Sequence, residues 1–325
     1  MTSLNTVVRC VCIFLLKTGF GQIIRWWHKK HTLILLYHGI SNARGHLDRK
    51  SFNAQIEYLS SKYTIISLDY FLHCIKSNMV PPENSLIITF DDGYQNNYAN
   101  AFPILKKNKV SASIFLVSSL IGKRQLLWVD EFYYRVAQIL KKEGTCTLEL
   151  RHTKHVIQTE SQADKVKEEL KTATQEQVQQ VLSQIRKSTS AGYEKTFLKD
   201  HLLLSFEQIR LMQKNNVAFY AHGHTHAILK TLEEKELRKE IVLSLQFMKK
   251  NNLNTNCYAY ANGRKKDFDD CATTLLAEQG VRTALTTIPG WNTINSEPFS
   301  LKRLSMGATQ DWNSFLIRIH FGLFL

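Results

Sequence analysis

Residues 86–94 read LIITFDDGY. A short apolar run passes straight into two adjacent carboxylates, Asp91 and Asp92, and then into a glycine. Such a run, closed by a turn signal, is the pattern of a strand buried on both faces, as in a parallel sheet. VAFYAHGHTH at 217–226 follows the same order: an apolar run, then His222, His224 and His226. LILLY (33–37) leads into His38, and CYAY (257–260) is followed shortly by Asn262. TIIS (64–67), SASIFLV (111–117) and RTALTT (282–287) add further strand candidates. Between them lie helical patterns, with Ser205/Gln208 and Thr231/Glu234 reading as capping boxes. Strands that alternate with helices predict an α/β protein with a parallel sheet. About seven strand–helix units favour a barrel over an open sheet, and in such barrels the functional loops follow the C-terminal ends of the strands. Four polar or ionisable sites at four such ends mark the candidate site.

One segment breaks the rhythm. Residues 141–200 are rich in Lys, Glu and Gln, with TLELRH (147–152) as the one strand candidate. Val178, Val181, Leu182 and Ile185 keep helical spacing. This predicts a helical insertion at about 141–204 on a βα loop rather than an independent domain.

The chain has 325 residues, 44 % of them hydrophobic and 22 % charged, which excludes a disordered, collagen-like or multi-span membrane protein. Its 42 Lys and Arg against 28 Asp and Glu give a net charge of +14, suited to an anionic partner without choosing one. The six cysteines form no CxxC pair, and their irregular spacing predicts reduced thiols and a cytoplasmic or membrane-peripheral setting.

Residues 1–30 stand apart from a catalytic domain at 31–325. VVRCVCIFLL (7–16) is too short to span a bilayer, which takes roughly 20 apolar residues. Leu4, Val7, Val8, Val11, Phe14 and Leu15 share one helical side, and RWWHKKH (25–31) mixes aromatic with basic groups. The segment reads as an amphipathic helix on an anionic membrane surface or as a helix packed on the protein's own core. A cleaved signal is the weaker reading, since no clear small-residue cleavage site follows.

His222 and His226 are four apart. On a helical turn their rings stack and can grip one metal while His224 points away, whereas in an extended chain all three histidines share a face. His222 and His226 are the preferred ligands, with His224 at the rim. Two imidazoles and one carboxylate leave positions open for water and substrate. Of two adjacent carboxylates, one binds metal and the other stays free as a base. That division suits metal-assisted hydrolysis.

These motifs resemble the polysaccharide deacetylase family, the NodB-homology group of carbohydrate esterases. LILLYHGI, LIITFDDGYQNNYANAFPILKKNKVSASIFLVSSLIG, WVDEF, LSFEQIRLMQKNNVAFYAHGHTH and YAYANG occur in that family's order over most of residues 33–305. The resemblance implies a distorted (β/α)7 TIM-like barrel. It implies Asp91 as general base, and Asp92, His222 and His226 as ligands of a divalent metal, usually Zn2+. A backbone N–H near Tyr94 would help stabilise the oxyanion. Three departures stand out. Gly223 replaces a Ser or Thr, which predicts a more mobile loop. Ala261 replaces a proline in YANG, which predicts an altered pocket wall. The final motif with its acid histidine is unclear, and His38 is preferred over His320 of the helix-like SFLIRIHFGLFL. Trp128, Asp130 and Glu131 read as lining the substrate entrance or as helix capping over a buried Trp128. Tyr94, Trp128, Tyr260 and Asn262 are the expected substrate-binding residues.

The expected function is a metal-dependent hydrolase that removes N-acetyl groups from an amino-sugar glycan in surface or exopolysaccharide synthesis. The alternatives are a deformylase or deacetylase of a lipid-linked sugar and a non-catalytic basic glycan-binding protein. No nucleic-acid motif is present, so nucleic acid is not an expected partner.

Overall fold

The computed structural model of the chain describes residues 3–189, 192–307 and 311–322, with side chains from residue 6 onward. Its strands are β1 (Leu33–Tyr37), β2 (Thr64–Ile65), β3 (Ser85–Phe90), β4 (Ala112–Leu116), β5 (Cys146–Leu150), β6 (Thr153–Ile157), β7 (Val217–Ala221), β8 (Cys257–Ala259), β9 (Thr283–Leu285) and β10 (Leu304–Ser305). Eight of them form one parallel sheet, in the order β10-β1-β3-β4-β7-β8-β9. Thr64 and Ile65 of β2 pair with Ser85 and Leu86, so β2 shares an edge of β3 with β4, which pairs with Thr89 and Phe90.

The sheet curls until both edges meet one segment. Leu285 of β9 bridges Leu301, and three residues later Leu304 of β10 pairs with Leu35 of β1. The expected distorted α/β barrel of seven main strands is therefore present. Every residue of β1, β3 and β4 is buried, as the unbroken apolar runs require. Alternate residues feed two clusters. Ile34, Ile87, Phe115 and Tyr220 belong to one, and Leu35, Ile88, Ile114 and Phe219 to the other.

Two local expectations are corrected. The helix expected after Thr231 begins at Glu234, because the Thr231 hydroxyl donates to the Ile228 carbonyl and closes a 3-10 turn instead. The segment after residue 140 is not purely helical. β5 and β6 form an antiparallel hairpin, with helices at Glu160–Leu170, Gln175–Lys187 and Lys195–His201 around it. Arg151 and His152 turn that hairpin at φ of 52° and 61°, conformations that Asn or Gly usually supplies, so no turn signal marked it. Together with the helix Trp128–Glu143 the insertion builds its own apolar cluster, which holds the expected Val178, Val181, Leu182 and Ile185. Buried Glu131 binds Arg135 and Arg186, each at 2.7 Å, and ties that cluster together.

The N-terminal segment shares features of both expectations. Helices Ser3–Lys17 and Phe20–Trp27 meet at 87° across Gly19, whose φ is 83°. One side packs inward: Cys12 is buried, and Arg9 reaches Asp311 at 2.7 Å and Ser314 at 2.6 Å beside the helix Trp312–Phe321. Val7, Val11 and Phe14 face outward. The Leu4 side chain and the last three residues of SFLIRIHFGLFL lie outside the described residues.

Candidate active site

β3 ends in Phe90, and the chain turns sharply through Asp91, Asp92 and Gly93. Asp92 and Gly93 have φ of 69° and 79°. β7 ends in Ala221, and Gly223 and His226 at φ of 83° and 65° fold the following loop back on itself. No helical turn is present at 222–226. The two rings converge, 5.0 Å apart, through left-handed backbone instead of i, i+4 stacking.

Asp92 Oδ1 lies 3.5 Å from His222 Nε2 and 3.3 Å from His226 Nε2. The three donor atoms lie within 4.8 Å of one another. His222 Nδ1 sits 2.8 Å from the Ala259 carbonyl and must donate there, which leaves the Nε2 lone pair facing Asp92. Burial pushes both imidazoles down, His226 to about 4, so both are neutral at pH 7 and the contacts to Asp92 are not ion pairs. Burial likewise pushes the Asp92 carboxyl up. Its Oδ1 is buried without a hydrogen-bond partner, a costly state for a carboxylate oxygen. Two lone pairs and an orphaned carboxylate oxygen around one point fit a divalent cation.

Asp91 is held differently. Arg303 binds both its oxygens at 2.8 Å, and both residues are almost completely buried. Burial alone would raise the Asp91 carboxyl. The guanidinium, and then His222, overcome this and bring it to about 2. Asp91 thus stays ionised although it is buried. Arg303 also donates to the Thr286 carbonyl at 2.8 Å, so it crosses the inside of the barrel from the β9 side to β3.

A cavity of about 1190 Å³ opens over this floor. His38, Tyr94, Trp128 and Asn262 line it, and so do Asp91, Asp92, His222 and His226. His38 is half-buried at the end of β1. The Tyr94 hydroxyl donates to Asp130 Oδ2 at 2.9 Å. Burial, and then the charge of Asp92, push the Asp130 carboxyl up to about 8. Asp130 therefore faces the cavity and caps nothing, and Trp128 is half-buried in the cavity wall. Asn262 accepts from Lys171 of the insertion at 2.9 Å and donates to Asp267 at 2.6 Å.

Two candidates lie elsewhere. Tyr260 is buried in the core, where it stacks on Phe268 at 4.1 Å and donates its hydroxyl to the Phe299 carbonyl. It is not a cavity residue. His320 bonds Tyr58 at 2.9 Å beside the N-terminal helices, so of the two acid candidates the geometry brings only His38 to the site. Ala261 is buried, and the neighbouring Asn262 forms the wall there.

The loop at Gly223 is held from a neighbouring helix. Buried Glu240, on the helix Glu234–Lys250, accepts from the N–H groups of His224 and Thr225 and from the Thr225 hydroxyl, at 2.7–2.9 Å. His224 turns away from Asp92, His222 and His226 to bond Ser118 at 2.9 Å. Arg303 and Glu240 were not foreseen from the sequence. The one available signal was that a buried Asp91 requires a cation, and nothing local points to a residue 212 positions away.

Residues 78–195 match the family model described as polysaccharide deacetylase. The chain is 34 % identical over 100 residues to the putative polysaccharide deacetylase YxkH of Bacillus subtilis (strain 168). It is 33 % identical over 98 residues to the poly-beta-1,6-N-acetyl-D-glucosamine N-deacetylase of Staphylococcus aureus (strain MSSA476). Each match covers 30 % of this chain, and 36 % and 31 % of the respective relative. The chain thus spans about a third of the length of these curated relatives. Among solved structures, the Streptococcus pyogenes deacetylase PplD in complex with acetate superposes with a TM-score of 0.58 at 18 % identity, covering 89 % of this chain and 98 % of that one. IcaB from Ammonifex degensii gives 0.59 at 16 % identity, covering 90 % and 96 %. These two establish the fold. The match to the polysaccharide deacetylase model lies in residues 78–195, and the fold is the one these deacetylase structures share.

Proposed function

We propose that this chain is a metal-dependent hydrolase that removes N-acetyl groups from an amino-sugar glycan, in surface or exopolysaccharide synthesis. One observation carries the reading: an arginine-held, ionised Asp91 adjoins an unpartnered Asp92 oxygen and two neutral imidazoles on the floor of a large cavity. Asp92, His222 and His226 would hold the ion, and this donor set suits Zn2+. When bound, such an ion lowers the pKa of water and polarises the amide carbonyl.

The chain's own groups do the rest. Asp91 takes the proton of the attacking water, and Arg303 keeps its carboxylate charged and aimed. His38 stands at the end of β1 to protonate the departing amine. The Tyr94 backbone N–H serves the oxyanion. Trp128 and Asn262 contact the sugar. The names of the Staphylococcus aureus relatives support a polymer of N-acetylglucosamine as the substrate class.

The test is acetate release from poly-β-1,6-N-acetylglucosamine by the purified chain beside Asp91→Asn. The reading predicts release, and a loss on the order of 10²-fold or more in the variant, as for removal of a general base. Equal release by both proteins would refute it.

A further inference from the structure

The two N-terminal helices present an apolar surface that no described part of the protein covers. Val7, Val11 and Phe14 are 59, 52 and 65 % exposed, and they stand on one face of the first helix at i, i+4 and i+7. Ile23, Trp26 and Trp27 on the second helix are 53, 63 and 73 % exposed. Contiguous exposed apolar side chains of this size mark an interaction surface.

Charge selects the partner. No acidic residue precedes Asp48, whereas Arg9, Lys17, Arg25, Lys29, Lys30 and Arg44 do. Lys17 stands one turn beyond Phe14, and Lys30 follows Trp27 by three residues; both are exposed. A second copy of this surface would bring like charges together. An anionic bilayer satisfies the apolar face and its cationic ends at once.

We propose that this helix pair docks the protein on an anionic phospholipid bilayer, with both helices lying in the interface. Among the described residues no single helix is long and apolar enough to cross a membrane, and the 87° bend at Gly19 lets two short helices share one surface. Tryptophan side chains favour that depth.

Both helices are tied to the barrel. The Lys29 carbonyl accepts from the N–H of Asn84, the residue before β3, and His28 stacks on Trp291 at 4.2 Å. The second helix therefore ends where β3 begins, and Asp91 follows the other end, while the first helix packs along the helix Trp312–Phe321 through Arg9. Six strand residues at roughly 3.3 Å each separate the two ends of β3. The docking does not rest on the deacetylase reading, and either can fail alone.

The experiment is flotation of the full chain with vesicles of phosphatidylcholine alone or mixed with phosphatidylglycerol. Its companion is quenching of tryptophan fluorescence by brominated acyl chains. The proposal predicts flotation at least about tenfold greater with the anionic vesicles, weakened by salt. Phe14→Ser with Trp26→Ser and Trp27→Ser should lose flotation by at least about tenfold while circular dichroism stays unchanged, because all three side chains are exposed. Trp26→Phe with Trp27→Phe should still float but lose most of the quenching. Equal flotation of the parent and the serine variant would overturn the proposal. So would a solution dimer that the serine variant dissolves, or retention in the membrane after alkaline extraction, which would indicate a spanning segment.

Discussion

Arg303 and Asp91 form a two-pronged pair, 2.8 Å at each prong, with the arginine completely enclosed in the barrel. The pair joins the segment that closes the barrel to the loop that carries the proposed base. Closure of the fold and ionisation of Asp91 are thus one interaction.

Removing one partner leaves a buried charge alone. Arg303→Met should cost about 3–5 kcal/mol of unfolding free energy and remove most of the activity, as for other broken buried pairs. Urea unfolding of the parent and the variant measures the first, and acetate release the second. A variant of near-parent stability would show that the pair is not structural.

The same pair gives stability a pH dependence. The folded Asp91 value of about 2 lies below the unfolded value of about 3.9. Its contribution is fully present above about pH 4 and is lost as pH falls through about 2. Unfolding free energies measured across that window should fall for the parent, and less steeply for Arg303→Met.

Gly223 is where this chain departs from related motifs, and the structure requires the departure. A Cβ there would stand 2.7 Å from Glu240 Oε1 and 3.2 Å from the Tyr258 hydroxyl, on a backbone with φ of 83°. Gly223→Ser, which places there the hydroxyl of the motif it resembles, should therefore destabilise by about 1–3 kcal/mol and lower activity. Thermal unfolding decides this, and a stabilised variant would contradict the packing.

Tyr260 and Asn262 are two residues apart and should behave differently. Tyr260→Phe removes a hydrogen bond to the Phe299 carbonyl and should cost about 1 kcal/mol of stability with KM unchanged. Asn262→Ala, on the cavity wall, should raise KM. Steady-state kinetics with urea unfolding of both variants separates the two roles.

How far the sequence disclosed this molecule depends on the range of each interaction. Strands buried over all or nearly all of their residues declare themselves as apolar runs, so β1, β3, β4 and β7 and the polar residues at their ends were legible. The candidate metal-binding group was legible too, because each of its members lies within a few residues of a strand end. The hairpin β5–β6 was half hidden, since Arg151 and His152 adopt left-handed backbone without turn residues. β10 was missed because two residues in a polar stretch carry no period. Arg303 and Glu240 act across 212 and about 16 positions, and pairing at such separations leaves no local trace. Tyr260 was misplaced because a tyrosine beside a motif looks the same whether its ring faces the cavity or the core.

The central claim is that Asp92, His222 and His226 hold a catalytic divalent ion. Metal content of the purified full chain, measured by elemental analysis beside His222→Ala and His226→Ala, tests it most directly. The account predicts about one divalent ion per parent chain, the stoichiometry of a single three-ligand site, with loss in both variants. A parent chain that takes up no metal after reconstitution, or variants that keep it in full, would contradict the account.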